Sequence, residues 1–144
     1  MAGQGAKARN LTLRSHFGAD RHSTLSLGTL YFGLMLGQPN AGGVEPDGTG
    51  AYTRVPRTND AALWGTISAT DTQVTNSGSS GTITWPSTTG LYSITSPLNY
   101  WFAADLSAGG TIWYWGQLQT TIQVAAAGDI PRLLAGTVTI IQPE

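Results

Sequence analysis

Residues that could perform acid–base or nucleophilic chemistry are few in this chain and lie apart. Both histidines, His16 and His22, fall in the first 22 residues, as does the single lysine, Lys7. A nucleophile needs a base beside it, but residues 23–144 contain neither histidine nor lysine. The chain has no cysteine, so thiol chemistry and a disulfide framework are both excluded.

Carboxylate chemistry and metal binding are also poorly supported. A glycosidase needs two carboxylates across a cleft, and Asp105 and Asp129 are the candidates. Each lies in a turn rich in Gly and Ala, where aspartate is expected for turn geometry alone. Asp47-Gly48 lacks the repeated acidic ligands of a calcium loop, and two histidines cannot by themselves form a zinc site. The sequence therefore predicts a protein that is not an enzyme and that needs no cofactor and no metal.

Aromatic residues concentrate in the stretch Thr111–Leu118. In a strand, alternate side chains share a face, so Trp113 and Trp115 lie on one face and an Ile-Tyr-Leu row lies on the other. Because both faces are apolar, we expect this to be a central strand of an antiparallel sheet. A second apolar run, 98–104, contains Trp101 and is predicted to pair with it as a hairpin across residues 105–110.

The tryptophans leave two functions open. Trp101, Trp113 and Trp115 are interpreted as core residues or as contact residues toward another subunit. Carbohydrate binding by ring stacking is possible, but it is not favoured, because these residues lie inside apolar strands and not on loops.

Composition predicts the fold class. At 144 residues the chain is expected to form one domain, and its 10% of charged residues is far below the usual ~25%. Abundant glycine and short apolar segments between turn residues predict an all-β fold, an antiparallel β-sandwich of the jelly-roll or Ig-like kind with about seven to nine strands. Segments 29–36, 51–55, 63–67 and 133–141 are predicted strands within it. Few charges also mean weak repulsion, so we expect other protein to cover much of the surface.

Charge divides the chain into a basic arm, residues 1–22, and a body, residues 23–144. The arm carries four cations and one carboxylate, a formal +3, and the body carries three cations and seven carboxylates, a formal −4. Arg9, Arg14 and Arg21 could dock the arm on an acidic protein surface, or the arm could be a solvated tail. Nucleic acid is not the expected partner, because four cations without interleaved aromatic residues provide few phosphate contacts.

Targeting signals and membrane association are not expected. The first 25 residues lack the apolar core of a signal peptide. The longest apolar run, 30–36, is far shorter than the ~20 residues needed to cross a bilayer. We expect synthesis in a host cytoplasm.

The order of short motifs resembles a family of small tailed-phage virion proteins that are often labelled tail fibre proteins. The motifs are Leu13-Arg-Ser-His-Phe-Gly18, Leu30-Tyr-Phe-Gly-Leu34, Gly48-Thr-Gly-Ala-Tyr-Thr-Arg-Val55, Gly81-Thr-Ile-Thr-Trp-Pro86, Asn99-Tyr-Trp-Phe-Ala-Ala-Asp105, Gly109-Gly-Thr-Ile-Trp-Tyr-Trp-Gly-Gln-Leu118 and Gly136-Thr-Val-Thr-Ile140. The resemblance implies a β-sandwich virion protein with no catalytic residues. The chain has no repeats with which to build a long fibre. We therefore expect a capsid decoration (cement) protein that binds the major capsid protein as a homotrimer, with a tail-associated receptor- or carbohydrate-binding module as the alternative.

Overall fold

The computed structural model describes residue 17, residues 27–67, residue 71 and residues 73–141. Arg9, Arg14 and Arg21 of the basic arm lie outside the described residues, so their predicted contacts stay predictions. The boundary proposed between arm and body at residue 22 also lies outside them.

Strands dominate the described residues, and the pairs β1–β5, β5–β6, β3–β8 and β4–β7 are antiparallel. The eight strands are β1 (Thr29–Met35), β2 (Val55–Thr58), β3 (Gln73–Thr75), β4 (Ile83–Thr84), β5 (Leu98–Ala104), β6 (Ile112–Ile122), β7 (Arg132–Leu133) and β8 (Thr139–Ile141). Helix α1 (Ala61–Trp64) and two 3₁₀ turns, Pro39–Ala41 and Thr49–Ala51, complete the secondary structure. The predicted all-β class is confirmed. No described helix has the length and apolar character that a membrane crossing requires.

Two compact units divide the chain, each made of separate sequence segments. The larger unit, residues 30–57 and 83–133, holds a four-stranded sheet of order β2-β1-β5-β6 and the pair β4-β7. The smaller unit comprises residues 1–29, 58–82 and 134–144 and holds the pair β3-β8 and helix α1. Neither unit can be cut from the chain as one continuous segment.

The core of the larger unit is built on the two central strands, β1 and β5. Leu34 pairs with Trp101 and Phe32 pairs with Ala103, and all four side chains are buried. On the other side of the sheet the ring of Phe102 lies directly over Gly33, so closely that any side chain at that position would collide with it. β5 ends in four consecutive buried residues, the pattern of a strand covered on both faces.

β6 was predicted to be a central strand, and that prediction is wrong. Within the described residues its single neighbour is β5, so it forms an edge of the four-stranded sheet. The predicted hairpin with β5 is confirmed, and residues 105–111 connect its strands. The apolar character of both β6 faces was taken to indicate burial, but one face remains exposed.

Helix α1 replaces the strand predicted at residues 63–67. The Asp60 side chain accepts hydrogen bonds from the amides of Ala62 and Leu63 and so caps the helix N-terminus. The cap and the apolar contacts of Leu63 and Trp64, both buried, outweigh the strand preference of this segment. Phe17, whose ring meets that of Trp64 edge-on at 5.1 Å, is 1% exposed.

Two further strand predictions also need correction. Residues 49–51 form a 3₁₀ turn, and the strand expected at 51–55 begins only at Val55 and contains Pro56. The strand expected at 133–141 is broken into β7 and β8, which pair with different partners.

Asn76 organises the smaller unit from a fully buried position. Its side-chain amide donates to the carbonyls of Gly81 and Leu134 at 2.8 and 3.1 Å. Its side-chain oxygen accepts from the amide of Val138 at 2.8 Å, so one residue connects three backbone segments. Ser and Gly neighbours made this asparagine look like a loop residue in the sequence.

Candidate functional site

Half-buried and exposed side chains alternate along residues 112–119 of β6, whereas the sequence predicted that both faces are covered. Ile112, Tyr114 and Leu118 are half-buried, while Trp113 and Trp115 are exposed. Such a strand has one face that supports the sheet and one that is available for contact with another molecule.

The exposed face carries an aromatic patch, which we define as Tyr100, Trp113 and Trp115. Trp113 is 49% and Trp115 38% exposed. The ring of Tyr100, on the neighbouring strand β5, lies 6.0 Å from that of Trp115. Exposed tryptophans offer a large rigid surface at low entropic cost, suited to another protein or to the apolar face of a sugar.

Asp105 orients the first tryptophan of the patch. One carboxylate oxygen accepts from the backbone amide of Thr111 at 2.8 Å, where the chain enters β6. The other accepts from the indole N–H of Trp113 at 3.4 Å. A turn residue therefore also restrains an exposed ring.

An arginine cluster, Glu45, Tyr52 and Arg54, supports the loop that precedes β6. The Arg54 guanidinium donates to both carboxylate oxygens of Glu45, from Nε at 2.9 Å and from Nη2 at 2.7 Å. Its Nη1 donates to the carbonyls of Leu106 and Gly109 at 2.8 and 2.6 Å. One cation therefore joins the loop of residues 45–54 to both ends of the hairpin loop.

The ion pair of the arginine cluster is largely withdrawn from solvent. The Arg54 side chain is 6% exposed and that of Glu45 is 22% exposed. The guanidinium carbon lies 4.9 Å from the centre of the Phe102 ring, a cation–π distance. Its hydrogen bond with Glu45 raises the pKa of the Arg54 guanidinium, so the group stays charged.

Tyr52 is the third member of the arginine cluster and is hydrogen-bonded to Glu45. Its hydroxyl accepts from the amide of Leu34 at 2.9 Å and donates to Glu45 at 2.9 Å. Burial, followed by the negative charge of Glu45, raises the pKa of the Tyr52 hydroxyl far above its ordinary value. Tyr52 and Arg54 are both buried while Thr53 between them is exposed, as the period of extended backbone requires.

A shallow cavity of about 310 Å³ opens beside the arginine cluster. Its lining residues are Glu45, Pro46, Asp47, Gly48, Tyr52, Thr53, Arg54, Ser107, Ala108 and Gly109. The hydrogen bond from the Thr49 hydroxyl lowers the pKa of the Asp47 carboxyl. Arg54 and Glu45 neutralise each other, which leaves the Asp47 carboxylate as the charged group in the lining without a countercharge there. Nowhere in the described part of the chain do three potential metal-ligating side chains come together.

The structure separates the predicted site residues. Trp113 and Trp115 share the exposed patch, whereas Trp101 is buried against Gly116, where even a methyl group would meet its indole nitrogen at 2.8 Å. Trp101 therefore belongs to the core and is not a surface contact. Asp129 has the turn role that the sequence predicted, because its carboxylate accepts from the amides of Ala125 and Ala126.

Sequence reasoning missed the arginine cluster, although one signal for it was present. The segment Gly50-Ala-Tyr-Thr-Arg54 overlaps a predicted strand and a motif of the resemblance, but neither assigns a role to Tyr52 or Arg54. Its Tyr and Arg are two residues apart in extended backbone, which places both on one face. No local signal identifies Glu45 or the carbonyls of the hairpin loop as their partners.

One family profile matches the chain, over residues 12–141, and its description is podophage GP4 fiber I protein gp80. This match covers the whole arginine cluster and the whole aromatic patch. Among curated proteins, none matches the chain.

Proposed function

This chain belongs to the family described as podophage GP4 fiber I protein gp80, and from that premise we propose that it is a decoration (cement) protein on the capsid surface. Membership makes it a structural protein of the bacteriophage particle. In the proposed role it docks on the major capsid protein through the aromatic patch and stabilises the shell.

The exposed tryptophan pair is the observation that carries this proposal. Tryptophan is enriched at the centres of protein interfaces, where it contributes much of the binding energy. Trp113 and Trp115 are exposed on a strand that contains no charged residue, although the same chain buries Trp64, Trp85 and Trp101. A chain with 10% charged residues has little else to keep this face in solvent.

A particle-binding experiment tests the docking surface. Particles lacking the protein are mixed with the wild-type chain or with Trp113→Ser/Trp115→Ser, and occupancy is measured after sedimentation. We expect apparent affinity to fall about ten-fold or more, because two central contact side chains are lost. Ile130→Ser is the matched control, since Ile130 is also exposed, at 45%, but lies outside the patch. Equal occupancy of all three proteins would contradict the proposal.

Labelling of intact particles tests the location. Gold-tagged wild-type protein should appear over the capsid in negative-stain images. Label confined to the tail would refute the decoration role while leaving family membership intact.

A tail-associated, carbohydrate-binding module is the second candidate. The same two indole rings favour it, because a sugar ring can stack on an exposed tryptophan face, and so does the word fiber in the family description. In this case the double tryptophan variant should lose binding to host cells, and free surface glycan should compete with the wild-type chain. Capsid occupancy would then be unaffected.

The basic arm is proposed to strengthen attachment through Arg9, Arg14 and Arg21, which would face carboxylates of the shell or of an adjacent subunit. Each exposed ion pair contributes only ~0–1 kcal/mol, so the effect depends on several contacts repeated at every site. Removing residues 1–15 together with Arg21→Ser tests this, because it eliminates all three arginines while retaining Phe17, whose ring is buried against Trp64. The truncated chain should bind particles more weakly than the full chain at low salt, and the difference should shrink as salt screens the wild-type contacts. Equal binding at low salt would show that the arm is a tail without a role in attachment.

The homotrimer implied by the resemblance stays a prediction that a measurement of solution mass tests.

A further inference from the structure

The two edges of the four-stranded sheet are built differently. β2, at one edge, has four residues and includes Pro56 and Arg57. A short length, a proline and a charge are the usual features that prevent an edge strand from pairing with another chain. β6, at the other edge, has 11 residues. It contains no proline and no charge.

A protected edge beside an unprotected one indicates that the unprotected edge has a partner. β6 runs for 11 residues, and its pairing with β5 is regular from Tyr114 to Gln117 with a register shift on either side of that stretch. Within the described residues its single strand neighbour is β5. Such a long uncharged edge would promote uncontrolled aggregation unless a specific strand covered it.

We propose that the outer edge of β6 pairs with β6 of a second copy of this chain, antiparallel and around a two-fold axis. The contact joins two four-stranded sheets into one sheet of eight strands. It uses the backbone edge of β6, whereas the proposed capsid contact uses its exposed face, so the two proposals are independent.

The side-chain pattern favours a second copy as the occupant. A two-fold contact brings each side chain close to side chains of the same strand, so any charge on β6 would face its own like charge. Residues 112–122 contain none. A second copy therefore meets β6 without any pair of like charges across the axis.

The two faces of β6 also match themselves. Rotation about an axis perpendicular to the sheet keeps each face on its own side, so the exposed row meets an exposed row and the half-buried row meets a half-buried row. The row on the core side is Tyr114 and Gly116, which pair with Ala103 and Trp101, whereas a register shift places Ile112 against Phe102 and Ala104 on the other side. Pairing would extend the apolar surface of the core-side row across the new junction and reduce its contact with water.

Oligomeric mass provides the first readout. The contact joins copies in pairs, so the protein alone should form dimers, or hexamers if the predicted trimer also exists. We expect sedimentation equilibrium at low salt to show one of these even-numbered masses.

A charge-swap experiment tests whether β6 makes the contact. Gln117 and Gln119 are exposed residues near the middle of β6. The variant Gln117→Lys/Gln119→Lys should have half the wild-type mass, because like charges oppose each other across the axis. The variant Gln117→Glu/Gln119→Glu should also have half the mass, and an equimolar mixture of the two should restore the full mass.

Matched controls and the opposite outcomes complete the test. Gln73→Lys and Gln73→Glu change an exposed glutamine on another strand, β3, and should leave the mass unchanged. A wild-type monomer at all concentrations would overturn the proposal. So would a trimer, or a mass that the Gln117 and Gln119 charges do not alter, and so would two charge variants that fail to recombine.

A cysteine cross-linking experiment tests the proposed pairing of two β6 strands independently of the mass measurements. The chain has no natural cysteine, so Gln117→Cys creates a single thiol. Directly opposite residues of antiparallel strands lie about 4.5–5.5 Å apart at Cα, within the range of a disulfide. In a two-fold antiparallel pair a residue faces its own copy only at the axis, and residues 117 and 119 face each other when the axis passes at Leu118. A covalent dimer should therefore form under copper–phenanthroline oxidation with Gln117→Cys, with Gln119→Cys or with an equimolar mixture of the two, but not with Gln73→Cys. Failure of all three β6 samples to cross-link would overturn a pairing centred on residues 117–119.

Discussion

Replacing Arg54 by methionine tests whether the arginine cluster holds the hairpin loop. The change keeps an unbranched side chain, which is shorter, and removes the guanidinium together with its cation–π contact with Phe102. It leaves the Glu45 carboxylate without its cation and the carbonyls of Leu106 and Gly109 without their donor. Every lost interaction is therefore one that the structure shows.

The magnitude follows from burial. Removing one partner of a buried ion pair costs about 3–5 kcal/mol, because the other charge remains buried and unpaired. The Glu45 side chain keeps 22% exposure and the hydrogen bond from Tyr52, which places the expected loss at the lower end, about 3 kcal/mol. For a chain of this size that loss lowers Tm by roughly 6–12 °C.

Thermal and denaturant unfolding followed by circular dichroism measure the loss, and a double-mutant cycle assigns it. Glu45→Gln combined with Arg54→Met should be little less stable than Arg54→Met alone, because the orphaned carboxylate is gone. Arg132→Met, at an exposed arginine of β7, is the control and should change stability by under about 0.5 kcal/mol. Faster amide exchange at residues 105–111 should accompany the loss in Arg54→Met. A fall in Tm of less than 2 °C, or strictly additive effects of the two substitutions, would refute the role of the cluster.

Three further predictions concern the core and the titrating groups. Trp101→Ala should lower the free energy of unfolding by about 3–5 kcal/mol, because buried surface is lost and a cavity forms. Trp115→Ala on the exposed face should lower it by under about 1 kcal/mol. Similar losses for the two variants in denaturant titrations would contradict the assignment of core and surface. Burial raises the pKa of the Tyr92 hydroxyl from 10.0 to about 12, so the unfolded chain releases this proton first and the free energy of unfolding should fall as pH rises from 10 to 12. The free energy of unfolding of Tyr92→Phe should fall less over that range in unfolding titrations. Parallel curves for the two proteins would contradict this prediction. Asn76→Ala should cost about 2 kcal/mol, because the Gly81 carbonyl and the Val138 amide lose their buried partner at roughly 1 kcal/mol each. The Leu134 carbonyl keeps its hydrogen bonds from Thr137. Asn40→Ala at an exposed turn should cost little, and equal melting temperatures for the two variants would argue against the role of Asn76.

The sequence determined the hairpin and the two faces of β6. Strand alternation is a local property of extended backbone, so the division between Trp113 and Trp115 on one side and Tyr114 on the other needed no tertiary information. Turn residues at 105–110 likewise predicted the connection between β5 and β6. The cap at Asp60 was equally local, and the error at residues 63–67 came from giving apolar pattern more weight than capping.

Which tryptophans are buried depends on the tertiary structure and could not be predicted from the sequence. Trp101 and Trp115 occupy similarly apolar strands, and their own sequences do not distinguish them. Trp101 is buried because β1 lies on the far side of β5 and because Gly116 leaves room for the indole. Trp115 is exposed because its strand lies at the sheet edge. Strand order is set by pairings between distant segments, which no short stretch of sequence specifies.

The arginine cluster depends still more on tertiary contact. Arg54 meets Glu45, nine residues away, and the carbonyl of Gly109, 55 residues away. A backbone carbonyl is present in every residue, so the sequence cannot mark which ones will accept from a guanidinium. What the sequence by itself determined was therefore the all-β class, the hairpin and the neutral, aromatic character of β6. The placement of β6 at an edge and the support beneath its loop depended on long-range pairing and on the geometry of buried hydrogen bonds.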